Sequence, residues 1–118
     1  MIRDMIREFA RSEIEPAAQE YNEKGEYPAG LIQKLGGLGL FGMMVPENYG
    51  GSGAGAVSYS LALQEIAYSC ASIAVTLSVT NLVTEPMLNY ATEEQKRMFL
   101  MPLASGAHIG AFALTEPD

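Results

Sequence analysis

Apolar side chains recur every three or four positions at the start of the chain, at Ile2, Met5, Ile6, Phe9 and Ala10. This spacing predicts an amphipathic helix over residues 2–22, with Pro16 either bending it or beginning a second segment. A second face of this helix carries Arg3, Arg7 and Arg11. Because acidic residues precede two of these arginines by three positions, we expect local ion pairs on a solvated face rather than a docking stripe.

The next apolar group predicts a short helix that glycines bring to an end, with apolar positions at Leu31, Ile32, Leu35 and Leu38. Residues 40–46 are apolar but too short and too rich in glycine for a helix, and we interpret them as a buried crossing segment. The glycine-rich stretch 47–55 raises the hypothesis of a phosphate-binding loop. No Gly-Lys-Ser/Thr follows it and no strand pattern precedes it, so a tight or flexible connection is favoured.

Residues 57–90 have the pattern of a helical and largely buried region, with a break at 69–72. Residues 66–84 carry no formal charge and have the length of a membrane span. Hydroxyl side chains occur throughout them, which favours a buried helix in a bundle and no membrane span. Thr92 and Gln95 have capping-box spacing and open a further helix, which we expect Pro102 and the following Ser-Gly pair to close.

The pattern changes after Gly106. Residues 108–115 are apolar, mixed with small residues, and predict the first β-strand, which Glu116-Pro117-Asp118 leaves in a turn. A lone strand cannot satisfy its backbone groups. The predicted fold is therefore mostly α: a helical domain over residues 1–107, and over 108–118 the first strand of a β-domain that this chain does not contain.

The composition argues against several classes of function but adds little to the predicted fold. The 118 residues are 48% hydrophobic, enough for one domain with one core. A net charge of −7 argues against nucleic-acid binding, which needs clustered Lys and Arg. Cys70 is the single cysteine, which excludes a disulfide or a cysteine-based metal site within the chain, and we expect no metal. The first residues lack the pattern of a signal peptide.

No catalytic constellation stands out among the residue types. His108 is the single histidine, and we expect it to be exposed in a polar bend. Four carboxylates fall in or near apolar stretches, namely Glu47, Glu65, Glu85 and Glu116. Any of them could be buried with a raised pKa and act as a base, although such residues more often cap, pair or face solvent.

Five segments, in order, resemble motifs of the acyl-CoA dehydrogenase family. They are a first helix with Phe9-Ala10 and Glu15-Pro16, the loop Val45-Pro46-Glu47-Asn48-Tyr49-Gly50-Gly51-Ser52-Gly53, the stretch Glu65-Ile66-Ala67 with Cys70-Ala71-Ser72, the helix start Tyr90-Ala91-Thr92-Glu93-Glu94-Gln95-Lys96, and the flavin signature Ala113-Leu114-Thr115-Glu116-Pro117. Ala91 stands at the family's usual glycine. The resemblance covers the whole chain.

The resemblance implies the amino-terminal domain of a tetrameric, FAD-dependent enzyme that oxidises an acyl-CoA thioester and passes electrons to an electron-transfer flavoprotein. It implies cofactor-binding roles for four residues of the last segment: Phe112, Ala113, Leu114 and Thr115. The family's glutamate base lies in a carboxy-terminal bundle, so no catalytic residue is expected in this chain, and Glu116 is not that base. Alone, the chain should be inactive and retain little or no flavin.

The resemblance also implies a substrate pocket at Ser78, Val79 and Leu82, of the short-chain type. An intact bacterial enzyme would be cytoplasmic, and a eukaryotic one would lie in the mitochondrial matrix. Two alternatives stay open: an acyl-CoA oxidase, which passes electrons to oxygen, and a free-standing helical binding or interaction module with no chemistry.

Overall fold

The computed structural model describes residues 1–117, and these form a mostly α-helical body followed by an irregular segment. The α-helices are α1 Ile2–Phe9, α2 Glu15–Lys24, α3 Ala29–Gly37, α4 Gly55–Ser69, α5 Ala71–Tyr90, α6 Glu93–Gln95 and α7 Met101–Ala104. The predicted mostly α fold class is confirmed.

Three prolines lie within continuous helical stretches, and two of them follow a π-helical turn, whereas the third, Pro86, lies inside α5. Such a turn, Ala10–Ile14, joins α1 to α2 ahead of Pro16, and another, Lys96–Leu100, joins α6 to α7 ahead of Pro102. Proline has no N–H, and its ring clashes with the carbonyl four residues earlier, so a locally widened turn relieves the helix. The prediction that Pro102 helps to close its helix is therefore wrong.

The helix that contains Pro102 ends a turn later. The helix ends at Ala104, and Gly106, two residues later, has a φ of 76°, in the left-handed region that favours glycine. A Cβ on Gly106 would also lie 2.7 Å from the Cα of Gly36. The glycine thus both ends the helix and allows the backbone of α3 to approach closely.

The core lies where α5 packs against α4, the crossing segment and the helical stretch 93–104. Its largest fully buried side chains come from every part of the body and include Ile6, Ile14, Leu35, Phe41, Ile66, Leu77 and Leu100. Within the described residues, α5 alone has the length and composition of a membrane span, a test that core helices of soluble proteins also pass. Buried polar side chains on α5, at Thr80, Asn81 and Thr84, accompany its apolar core positions.

Two local predictions about helix ends are confirmed. The backbone leaves the helical region at Cys70, with φ −158° and ψ 109°, which separates α4 from α5. At the start of α6, the Gln95 N–H donates to the Thr92 hydroxyl at 3.2 Å, and the Thr92 N–H donates to the Gln95 side chain at 2.9 Å. The capping box thus satisfies two amides that have no partner within the helix.

The crossing segment and the glycine-rich loop after it fold tightly against each other, so the loop is the tight one of the two kinds of connection that the sequence left open. A Cβ on Gly51 would overlap the Val45 carbonyl oxygen, so the two backbones meet at a point that only glycine permits. The loop is also tied to α6, because the Tyr49 hydroxyl donates to the Glu93 carboxylate at 2.8 Å. This hydrogen bond, with the Lys96 ammonium beside it, lowers the pKa of Glu93.

The segment after the helical body forms no β-strand in the part of the chain that the structure describes. His108 lies in an exposed bend, as predicted, and its N–H donates to the Pro102 carbonyl at 3.1 Å. The Gly110 N–H donates to the Thr80 hydroxyl at 3.2 Å and ties the segment to α5. A strand needs a neighbour for its ladder, and no other stretch of the described chain supplies one. Asp118, the last residue of the predicted strand region 108–118, lies outside the described residues.

Candidate functional site

A cleft of about 410 Å³ lies beside α5, and it is the candidate ligand site. One face of α5 supplies most of its lining, since residues three and four positions apart share a face of a helix. Met44 from the crossing segment and Tyr59 from α4 complete the wall. The cleft therefore joins three parts of the sequence that are far apart along the chain.

Two of the three residues that the sequence assigned to a substrate pocket line this cleft, namely Ser78 and Leu82. Val79 does not line it, because one position along a helix turns a side chain by about 100°. The Ser78 hydroxyl donates to the Val75 carbonyl at 3.0 Å, which leaves its oxygen free to accept a hydrogen bond from the cleft. A substrate role for all three residues stays a prediction.

Sequence reasoning did not assign the other seven residues of the lining to a pocket, and these include Met44, Tyr59 and Asn81. Asn81 could have been found, because it lies three positions after Ser78 on the same helical face. Met44 and Tyr59 could not, since their place depends on tertiary packing. Burial raises the pKa of Tyr59, so its phenol stays protonated at neutral pH and can donate a hydrogen bond.

Glu65 is not the buried base that its apolar surroundings suggested. Its carboxylate accepts from the Arg7 guanidinium at 2.8 and 2.9 Å and from the Arg3 guanidinium at 2.7 Å. These hydrogen bonds, from Arg7 first and then Arg3, lower the pKa of Glu65 from 4.5 to about 2. The two arginines therefore tie α1 to α4, and the prediction of a local ion pair along the helix is wrong for Arg7.

The other three carboxylates considered as bases are exposed, which agrees with the favoured expectation that such residues cap, pair or face solvent. Glu47 lies in the short turn before the glycine-rich loop, and Glu116 lies in the irregular final segment. Glu85 borders the cleft but faces solvent. Within residues 1–117, no group of three or more His, Cys, Asp or Glu side chains could hold a metal ion.

The four residues assigned to the flavin lie together in the final segment, and all are exposed. The exposed fractions of Phe112 and Leu114 are 48% and 77%. The backbone groups of residues 111–117 make no hydrogen bond to another described residue. Free N–H and C=O groups beside a threonine hydroxyl fit the polar edge of a flavin ring, which both accepts and donates hydrogen bonds.

The helical body, the cleft along α5 and the open segment after α7 define the class of protein to which this chain belongs. The family model described as "Acyl-CoA dehydrogenase, N-terminal domain" matches residues 1–107. The chain therefore belongs to the acyl-CoA dehydrogenase family.

Individual relatives agree with this assignment. An acyl-CoA dehydrogenase of Bacillus subtilis (strain 168) is 52% identical over 118 residues, which cover 99% of this chain and 31% of the relative. The mitochondrial short-chain specific acyl-CoA dehydrogenase of Bos taurus is 42% identical over 99% of this chain and 29% of its own length. The structure of butyryl-CoA dehydrogenase from Megasphaera elsdenii superposes with a TM-score of 0.90 at 40% identity, covering 98% of this chain and 31% of that one. The chain thus spans about a third of the length of these relatives.

Proposed function

We propose that this chain is the amino-terminal part of an FAD-dependent dehydrogenase that introduces an α,β double bond into an acyl-CoA thioester during fatty-acid oxidation. The observation that carries the proposal is the cleft along α5, which Ser78 and Leu82 line together with residues from two other elements. Family membership and the similarity to a butyryl-CoA dehydrogenase support the same reaction.

When bound, FAD would accept a hydride from the β carbon of the acyl group. This chain's own residues have two tasks in that scheme. The cleft holds the acyl tail between Leu82 and Met44. The free backbone groups and hydroxyl of Phe112–Thr115 bind the polar edge of the flavin ring. The glutamate base belongs to a part of the protein that this chain does not contain, so the chain alone is expected to be inactive.

The proposed partners and compartment follow from the same reasoning. Electrons would leave to an electron-transfer flavoprotein, and the whole enzyme would be a tetramer. It would act in the cytoplasm of a bacterium or in the mitochondrial matrix of a eukaryote. An acyl-CoA oxidase is the second candidate within the family, because nothing in residues 1–117 separates the two electron acceptors.

The test uses the longer protein that contains this chain, purified without added flavin. We expect a yellow protein whose visible flavin absorbance is lost when butyryl-CoA is added without oxygen. Recovery of the absorbance with an electron-transfer flavoprotein, but slowly with oxygen, would identify a dehydrogenase. Rapid recovery with oxygen would identify an oxidase. A colourless protein, or one whose flavin no acyl-CoA reduces, would refute both.

A further inference from the structure

Asn81 has an unusual hydrogen-bonding state for a buried side chain. It is 5% exposed. Its amide NH₂ donates to the Leu40 carbonyl at 3.3 Å and to the Leu77 carbonyl at 3.0 Å. Its amide oxygen is buried and accepts no hydrogen bond from any described residue. An unpaired buried acceptor destabilises a fold, so the oxygen requires a donor from elsewhere.

The unpaired atom of the Asn81 amide is the oxygen and not the nitrogen. Turning the amide over would break both bonds from the NH₂ group and would point the oxygen at two carbonyl oxygens. The residue borders the α5 cleft, which is the open space from which a donor can come.

A second polar group in the same cleft complements this acceptor. Tyr59 lines the cleft, and its hydroxyl makes no hydrogen bond to another of residues 1–117. Because burial raises the pKa of Tyr59, the phenol remains a donor at neutral pH. A molecule that can both donate and accept, such as water, satisfies Asn81 and Tyr59 together.

We propose that Asn81 is a specificity-determining residue of the acyl cleft, and that with Tyr59 it retains water that a short acyl chain leaves in place. This inference rests on the proposed function. A cleft of about 410 Å³ has room for a short tail and several waters, since each water occupies about 30 Å³ of liquid. A longer tail displaces the water and leaves the Asn81 oxygen without a partner, which disfavours long chains.

The experiment compares kcat/KM of the longer protein for butyryl-, hexanoyl- and octanoyl-CoA. Asn81→Leu keeps the branched shape of the side chain and removes its polar atoms. We expect it to raise the octanoyl-to-butyryl ratio about tenfold, and Tyr59→Phe to raise the ratio about threefold. The matched control is Thr76→Val on the same helix, whose hydroxyl donates to the Ser72 carbonyl outside the cleft. It should leave the ratio unchanged.

The variants distinguish a failure of this inference from a failure of the proposed function. An unchanged ratio in Tyr59→Phe and in folded Asn81→Leu overturns the inference, while the proposed function stands on the activity of the unmodified protein. If Asn81→Leu does not fold, the ratio in Tyr59→Phe decides alone. An unmodified protein that oxidises none of the three thioesters refutes the proposed function, and the inference falls with it. A shift of similar size in Thr76→Val would also overturn the inference, because it would show that general loosening of α5 changes the ratio.

Discussion

Two phenylalanines mark the difference between the helical body and the final segment. Phe41 is fully buried where the crossing segment meets the core, whereas Phe112 is 48% exposed in the segment assigned to the flavin. The body contains a core of buried apolar side chains, and residues 111–117 contribute none to it. An exposed aromatic side chain with unpaired backbone groups beside it is typical of a surface that another component covers. The contrast separates what this chain needs in order to fold from what it offers to a larger enzyme.

The largest expected effect tests the contrast with one substitution in both regions. In the 118-residue chain, Phe41→Ala should lower the free energy of unfolding by about 3–5 kcal/mol, because it leaves a cavity in the core. Phe112→Ala should change it by less than about 0.5 kcal/mol. Urea unfolding followed by circular dichroism measures both. Equal losses would show that the final segment is part of the core.

A glycine pair probes the backbone contact beneath the loop. Gly51→Ala should lower the free energy of unfolding by about 3 kcal/mol, because its Cβ would overlap the Val45 carbonyl oxygen and the backbone must shift. Gly37→Ala is the control, because a Cβ there meets open space. That change should be neutral or slightly stabilising, as alanine favours a helix. A well-tolerated Gly51→Ala would argue against the tight loop.

The ion cluster between α1 and α4 should appear in the pH dependence of stability. The folded-state pKa of Glu65 lies near 2, below its ordinary 4.5, so the cluster stabilises the fold above about pH 4.5. That stabilisation is lost as the pH falls from 4.5 towards 2, because the protonated carboxyl no longer pairs with Arg3 and Arg7. Glu65→Gln should be less stable at neutral pH and should flatten the decline over this range. An unaltered acid-unfolding curve would contradict the assignment.

The smallest expected difference in stability is between variants of two threonines, one in each region. Thr92→Ala removes the side-chain oxygen that caps α6 and should lower the free energy of unfolding by about 1 kcal/mol. Thr115→Ala in the final segment should change stability by less than about 0.5 kcal/mol. Thermal unfolding of both variants provides the comparison. A larger loss from Thr115→Ala than from Thr92→Ala would reverse the roles assigned to the two regions.

The sequence predicted what depends on neighbours along the chain and failed where distant residues decide. Local chemistry predicted the capping box at Thr92 and the break at Cys70, and the structure confirms both. It left a tight and a flexible connection open for the glycine-rich loop, and the structure shows the tight one. The family resemblance, rather than period or spacing, pointed to Ser78 and Leu82, and neither kind of reasoning could find Tyr59, which reaches the cleft from α4. The sequence favoured pairing for carboxylates such as Glu65, but it could not identify the partners, which lie on α1.

The final segment was predictable only in part. Its apolar and small residues indicate a strand, and a strand requires a partner that the described chain does not supply. Family resemblance, rather than pattern, linked Phe112 and its neighbours to a flavin. At Pro102 a strong local signal was misleading. Proline ordinarily ends a helix, but here a π-helical turn accommodates it and the helix continues.

Hydrogen exchange tests the central claim most directly, by comparing the 118-residue chain with the same residues in the longer, flavin-loaded protein. The account predicts that the amides of the helical body are protected in both samples. It predicts that the amides of residues 111–117 exchange freely in the isolated chain and become protected in the longer protein. Strong protection of this segment in the isolated chain, or free exchange in the flavin-loaded protein, would contradict the division between a self-sufficient body and a segment completed by other parts of the enzyme.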